Sequence, residues 1–177
     1  LVYHDFIVKE IEMSSYRQGK PEVKFWLAQH LSNGSTVLDV GACDGVWSNI
    51  LSEWYTMDAV EVWEPNIEKY RLTEKYRAVF PVAIQSLSYD HYDLVLFGDV
   101  IEHMTIEDAQ AVLAYAKEHS DIIIVAVPFM FEQGAIYGNP YERHIQPDLT
   151  HNIFMERYPD FQPIVLYPNY GYYVWQK

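Results

Sequence analysis

The chain has 177 residues, half of them apolar and about a fifth charged. That is enough for one domain around a single substantial core, and it excludes a disordered or collagen-like chain. Lys and Arg number 12 against 25 Asp and Glu, a net charge of −13, with −4 carried by residues 1–77 and −9 by residues 78–177. A surface that grips phosphodiesters needs clustered basic residues, so nucleic acid and anionic membrane are disfavoured partners. No apolar run has the length of a membrane-spanning helix. The first residues lack the basic and apolar regions of a signal peptide. Cys43 is the only cysteine, so no internal disulfide and no Cys-rich zinc site can form. A cytoplasmic setting is the simplest expectation.

Strand and helix signals then alternate. Gly19-Lys20-Pro21 starts a helix in which Val23, Trp26, Leu27 and Leu31 recur at helical spacing, and Asn33-Gly34 ends it. Thr36 to Val40 reads as a short buried strand. Val46 to Tyr55 reads as a helix with Val46, Trp47, Ile50, Leu51 and Trp54 inward. Met57 to Trp63 is the second strand, and Pro65 opens the next helix. Val79 to Val82 is a weaker strand, placed at an edge by Pro81. Tyr92 to Phe97 is a continuous apolar strand. Thr105 caps a helix whose Ile106, Ala109, Val112, Leu113 and Ala116 face inward, with Asp108 placed as in a capping box. Asp121 to Val127 is the fifth strand. Residues 128–146 have no period, and so long a loop in a compact domain carries function. Pro147 to Tyr158 reads as a helix. Ile164 to Tyr167 and Tyr172 to Trp175 flank Pro168-Asn169-Tyr170-Gly171 as a hairpin.

The alternation predicts an α/β protein with a Rossmann-like, doubly wound, mostly parallel seven-stranded sheet that ends in an antiparallel hairpin. Ligands of such sheets lie at the carboxyl ends of the strands. That rule selects 39–45, 63–66, 83–85 and 98–103. Asp39 to Gly45 turns from the first strand into a helix, with glycines at 41 and 45 for a sharp turn and close backbone approach. Glu64, 19 residues beyond Gly45, is placed to bind both hydroxyls of a ribose. The turn lacks the third glycine of a pyrophosphate-binding fingerprint and the Lys-Ser/Thr pair of a P-loop. Asp39, two residues before the first glycine and facing the ligand, repels phosphate and suits an ammonium or sulfonium.

The stretch Val37-Leu38-Asp39-Val40-Gly41-Ala42-Cys43-Asp44-Gly45 resembles the first motif of the class I S-adenosylmethionine-dependent methyltransferases. Val62-Trp63-Glu64-Pro65-Asn66 resembles their second motif. Tyr92 to His103 resembles the fourth strand and the motif after it. The likeness runs over residues 20–177 and implies a single methyltransferase domain over 1–177. Its parts are an N-terminal extension (1–19), an N-terminal helix (20–34) and an acceptor loop (128–146). It implies S-adenosyl-L-methionine as cofactor. Gly41, Ala42 and Gly45 would line the methionine end, Asp39 would hold the amino group and Glu64 the ribose. Ile84 and Gln85 would flank adenine, and Gly98 and Asp99 would lie beneath the sulfonium. The chain departs from the family at Cys43, in place of a middle glycine, and at Ala83, where many members carry an aspartate for the adenine amino group.

Methyl transfer to an alcohol or phenol needs the acceptor's proton removed, and a histidine titrates in the right range. His144, before the helix at Pro147, is the first candidate for the base and His103 the second. The remaining histidines, His4, His30, His91, His119 and His151, have no motif context and are expected at the surface or at helix ends. Asp99, Glu102 and His103 stand close together if a helical turn forms there, and such a set is able to hold Mg²⁺ or a similar ion, with His144 as a further ligand. A Glu-His pair at this point is similar to that of ubiquinone-type O-methyltransferases and of terminal RNA 2′-O-methyltransferases. The simpler reading makes Glu102 and His103 polar groups at a helix start, so no metal ligand is assigned. The expected activity is O-methylation of a small or glycan-like acceptor. A metal-assisted RNA 2′-O-methyltransferase and a non-catalytic, methyltransferase-like interaction module are the alternatives.

Overall fold

A computed structural model of the chain describes residues 17–136 and 138–177. His4, Tyr137 and most of the expected N-terminal extension lie outside the described residues. The first described helix is α1 (Lys20–His30), followed by β1 (Thr36–Val40), α2 (Val46–Leu51), β2 (Thr56–Val60) and α3 (Glu64–Lys69). Next come β3 (Val79–Phe80), β4 (Tyr92–Gly98), α4 (Ile106–Glu118) and β5 (Ser120–Pro128). Last are α5 (His151–Arg157), β6 (Gln162–Tyr167) and β7 (Tyr170–Gln176).

The seven strands form one sheet in the order β3-β2-β1-β4-β5-β7-β6. The first five are parallel, and β7 runs antiparallel to both β5 and β6. Successive side chains of the central strands point to opposite faces, and both faces are buried. Leu38, Val95, Phe97, Ile123 and Val125 meet Ala109, Leu113 and Ala116 of α4 and Phe154 of α5 on one side. Val37, Leu94, Leu96, Ile122 and Ile124 meet Val23 and Leu27 of α1 and Trp47 and Leu51 of α2 on the other. Apolar runs without alternation are what a two-sided core demands of its strands.

Several boundaries fall inside the sequence-based ones, each for a local reason. β2 stops at Val60 because the Trp63 N–H turns to the Glu61 carboxylate (2.7 Å) instead of the ladder. β3 is two residues long, at the sheet edge as expected, and Pro81 cannot extend it. α2 ends at Leu51, where the Trp54 and Tyr55 N–H groups both fold back on the Leu51 carbonyl. α5 starts at His151, because Thr150 caps it by accepting the Ile153 N–H at 3.2 Å. The expected capping of α4 by Thr105 is present, its hydroxyl accepting the Asp108 N–H at 3.1 Å. The terminal hairpin is tighter than predicted. Its connection is only Pro168-Asn169, and Tyr170 and Gly171 already pair with β5 and β6. Gly171 is required there, since a Cβ would lie 2.6 Å from the Phe129 ring.

Candidate functional site

The carboxyl ends of β1, β2, β4 and β5 open onto one cavity of about 1080 Å³. Its floor is built first by the turn after β1. Gly41 (φ +72°), Cys43 (φ +45°) and Gly45 (φ +73°) are all left-handed. At Gly41 a side chain is excluded twice over, by the φ and by Val100 Cγ2, which would stand 2.6 Å from a Cβ. The Gly41 and Ala42 N–H groups donate to the Val60 carbonyl at 2.8 and 3.2 Å, tying the turn to β2. Cys43 takes the strained conformation that its position predicts.

Not every residue expected at the cofactor end faces the cavity. Gly41, Ala42, Ile84, Gln85, Gly98 and Asp99 line it, with Ala83 beside them. Gly45 does not. Its N–H is bonded to the Ala42 carbonyl at 2.7 Å, and its Cα faces Lys75 and Leu72. Asp39 does not line the cavity either; it is buried beneath the turn, 1% exposed. One of its oxygens accepts the Tyr76 hydroxyl at 2.5 Å, and the other has no hydrogen-bond partner. Burial pushes its carboxyl up to about 7, against the Tyr76 bond and the Lys20 charge, which pull the other way.

The two acids at the end of β2 are placed differently. Glu64 is exposed, opens α3 and does not line the cavity. Glu61, directly after β2, does line it and is 4% exposed. Its carboxylate accepts the Cys43 N–H at 2.9 Å and the Trp63 N–H at 2.7 Å. Burial raises its pKa, partly offset by those bonds. The signal was present in the sequence: Glu61 lies 20 residues beyond Gly41, the spacing of the ribose acid in dinucleotide folds. Lys20 is a second residue that sequence reasoning passed over. It is 1% exposed, its ammonium lies 4.4 Å from the Trp47 ring centroid, and its Nζ makes no hydrogen bond. Burial lowers its pKa, while Asp99, Asp39 and Asp44 raise it.

The far wall comes from the turn after β4 and from the loop after β5. Asp99 sits at φ +60° and accepts the Tyr170 hydroxyl. Ile101–His103 forms a single 3₁₀ turn. Glu102 is 1% exposed, lines the cavity, and neither carboxylate oxygen has a hydrogen-bond partner. Burial first, and the Asp99 and Glu142 charges after it, raise its pKa well above the usual carboxylate range. The loop is locked to this turn by Gln146, which sequence reasoning also missed. Gln146 is 3% exposed, and its amide donates to the Ile101 carbonyl at 2.8 Å. The backbone N–H groups of Ile145 and Gln146 both donate to the Glu102 carbonyl, at 2.7 and 3.0 Å.

That lock brings His144 against His103, with ring centroids 4.7 Å apart. Both line the cavity. Burial lowers the His103 pKa to about 4, helped by His144, and burial lowers that of His144 as well. Ligand atoms of Glu102, His103 and His144 all lie within 4.8 Å of one another. Phe129, Phe131 and Tyr141 complete the wall, the last two about half exposed at its rim. Of the other described histidines, His30 and His91 are exposed, while His119 and His151 are half-buried, stacked on Tyr115 and Tyr173.

No family model matches the chain, and no curated protein matches it significantly by sequence. Solved structures do match it by fold. One is magnesium protoporphyrin IX methyltransferase (ChlM) from Synechocystis PCC 6803 with bound SAM, at 14% identity and TM-score 0.62, covering 90% of this chain and 79% of that one. A second is 1,6-didemethyltoxoflavin-N1-methyltransferase from Burkholderia thailandensis with its substrate and S-adenosylhomocysteine, at 20% identity and TM-score 0.63, covering 99% and 83%. A third is the N-terminal domain of EvdMO1 in the presence of SAH and D-fucose, at 13% identity and TM-score 0.65, covering 92% and 84%. With its sheet order β3-β2-β1-β4-β5-β7-β6 and antiparallel β7, and with this likeness over nearly its whole length, the chain has the fold of the class I S-adenosylmethionine-dependent methyltransferases.

Proposed function

We propose that this chain is an S-adenosylmethionine-dependent methyltransferase that methylates an oxygen of a small, non-anionic acceptor. One observation carries the reading. A single cavity joins the glycine turn, Glu61 and Gly98-Asp99 on one side to Phe129, Phe131, Tyr141, His103 and His144 on the other. A nucleoside cofactor and an acceptor therefore share one space.

The residues present fit the cofactor. Gly41 and Gly98 line the cavity and present backbone to it, their Cβ positions being closed by Val100 and Trp47. Glu61 offers a carboxylate to the ribose, and Ile84 and Gln85 offer a flanking wall to adenine. Asp39 and Lys20 lie under the methionine end, with one orphaned acceptor oxygen and one orphaned ammonium. When bound, the cofactor would supply an electrophilic methyl on sulfonium for in-line transfer to the acceptor oxygen. The protein's part is to align the acceptor, exclude water and take up the acceptor's proton. Glu102, His103 and His144 are the groups next to that proton.

Among the described residues, the cavity wall carries Glu61, Asp99, Glu102, Glu132 and Glu142 against the one Lys or Arg side chain of Arg17. Phosphorylated acceptors and RNA ends are repelled by that wall, whereas sugars and phenols are tolerated. Calorimetry with S-adenosylhomocysteine, followed by a labelled-methyl screen across sugars, phenols, carboxylic acids and RNA ends, tests the reading. Binding together with transfer to a neutral hydroxyl supports it. Absence of binding by the folded chain favours the non-catalytic module, and transfer only to RNA ends reverses the acceptor assignment.

A further inference from the structure

We propose that Tyr170, at the start of β7, is a positioning residue of the transfer site. On the methyltransferase reading above, on which this role rests, it fixes Asp99 as the carboxylate that tells the charged sulfonium cofactor from its neutral thioether product.

The sheet order gives the place of the methyl. The nucleoside side of the cavity is built beyond the ends of β1, β2 and β3, by Gly41, Glu61 and Ile84. The acceptor side is built by the loop that leaves β5. In the order β3-β2-β1-β4-β5, the strand between the two sides is β4, which ends at Gly98 and is followed by Asp99. A methyl passed from one side to the other crosses above this point, and Asp99 is half-buried in the wall there.

Asp99 is held in an unusual shape. Its N–H still donates to the Ala126 carbonyl of β5 at 3.1 Å, but its φ of +60° then turns the chain left-handed. The turn sets Val100 against Gly41, where Val100 Cγ2 fills the space of a Cβ. The end of β4 and the turn after β1 are thus fitted to each other through Asp99. A non-glycine residue keeps such a conformation only where its surroundings impose it. Tyr170 supplies a hold from a distant strand, donating its hydroxyl to Asp99 Oδ1. Tyr170 stands opposite Pro128 in the β5–β7 ladder and Gly98 opposite Ala126 in the β4–β5 ladder, so the phenol reaches across the end of β5. Its ring is 1% exposed and packs on that of Tyr172, centroids 5.1 Å apart, which fixes its direction.

The chemistry of the donor matters. A phenol is neutral, and burial together with the Asp99 charge keeps Tyr170 protonated. Its bond satisfies a carboxylate oxygen without cancelling the charge, as a lysine or arginine would. Glu102 and Glu142 repel the same carboxylate, and the hydroxyl holds it in place against them. A sulfonium carries a full positive charge, and the thioether left after transfer carries none. A carboxylate fixed beside that position favours the first over the second, which draws the cofactor in and lets the product leave.

The test needs no acceptor. Calorimetry gives the affinities of the full chain for S-adenosylmethionine, S-adenosylhomocysteine and sinefungin, which carries an amine where the cofactor has its sulfonium. The ratio of cation to thioether affinity should fall about fivefold in Tyr170→Phe, the upper range for a charge pair that solvent reaches. It should fall at least as far in Asp99→Asn, which keeps an acceptor oxygen and tolerates left-handed backbone but loses the charge. The double variant should fall no further than Asp99→Asn alone, since Tyr170 acts through the carboxylate. A tyrosine with only a packing role would weaken all three ligands alike. An unchanged ratio in Tyr170→Phe overturns the proposal, as do additive losses in the double variant. If Tyr170→Phe fails to fold, Asp99→Asn decides, an unchanged ratio again overturning it. A wild-type chain that binds none of the three ligands removes the methyltransferase reading and this role with it, whereas binding with unchanged ratios removes this role alone.

Discussion

The two halves of the cavity are built in different ways. The cofactor half is a local structure. Gly41, Ala42 and Cys43 follow one another at the end of β1, and Gly98 and Asp99 end β4, so a short stretch of sequence already dictates the shape. The acceptor half is assembled over distance. His144 reaches His103 because the loop is tied back to the 101–103 turn by the Gln146 side chain and by the Ile145 and Gln146 N–H groups. A backbone turn tolerates little change without losing its shape. A wall made of one loop and a few long-range anchors is free to vary, and that is where a fold shared by many activities sets its acceptor.

This contrast gives the largest prediction. His144→Ala should lower kcat by about 10²–10⁴-fold, the scale of removing a group that handles the acceptor's proton. Affinity for S-adenosylhomocysteine should stay within about twofold, since the glycine turn and Glu61 are untouched. If the cofactor is lost instead, the two halves are not separable and the loop closes over the nucleoside.

A second measurement divides the cofactor half itself. Glu61→Ala should weaken S-adenosylhomocysteine by about 1.5–3 kcal/mol, the scale of hydrogen bonds to a charged group. Glu64→Ala, at an exposed position outside the cavity, should leave it unchanged. The opposite ranking would return the ribose to Glu64.

The legibility of the sequence follows the same division. The sheet, its edge strand and its closing hairpin were readable because apolar runs without alternation and Pro81 each have a local cause. Gly41 and Gly98 were readable for the same reason. Glu61 is hard to single out in the sequence because a strand read through to Trp63 gives no sign that Glu61 turns the chain by accepting the Trp63 N–H. Lys20 was missed because a lysine in a helix start reads as solvated, and only the tertiary contact with Trp47 buries it. The Glu102–His103–His144 cluster was half legible. The Glu-His pair is contiguous, but the third member depends on Gln146, 44 residues beyond Glu102, and no periodicity encodes that contact.

Asp39 sharpens the comparison through pH. Its carboxyl, buried beneath the turn, is raised from 3.8 to about 7. A raised acid binds its proton more tightly in the folded state than in the unfolded one. Its contribution to stability is therefore present at acid pH and is lost as pH climbs from about 4 through 7. The melting temperature of the ligand-free chain should fall over that interval, and Asp39→Asn should fall less. An equal pH slope in the variant would show that the carboxyl is ionised throughout, held by Lys20.

The smallest effect concerns the one non-glycine residue in the left-handed part of the glycine turn. Cys43 sits at φ +45°, a conformation that costs an L-residue about 1–2 kcal/mol. Glycine adopts it freely but makes the unfolded chain more disordered, which returns about 0.5–1 kcal/mol of the gain. Cys43→Gly should therefore stabilise the ligand-free protein by about 0.5–1 kcal/mol in urea unfolding. The bond from the Cys43 N–H to Glu61 is made by backbone and survives the change. One polar contact of the side chain, from the Asn66 amide to sulfur at 3.7 Å, is weak. Cofactor affinity should thus stay the same or rise slightly, as a relaxed turn presents the same N–H groups. A destabilised Cys43→Gly would mean that the sulfur's packing at this turn outweighs the strain. The cysteine would then be a fitted part of the cofactor half and not a tolerated departure from glycine.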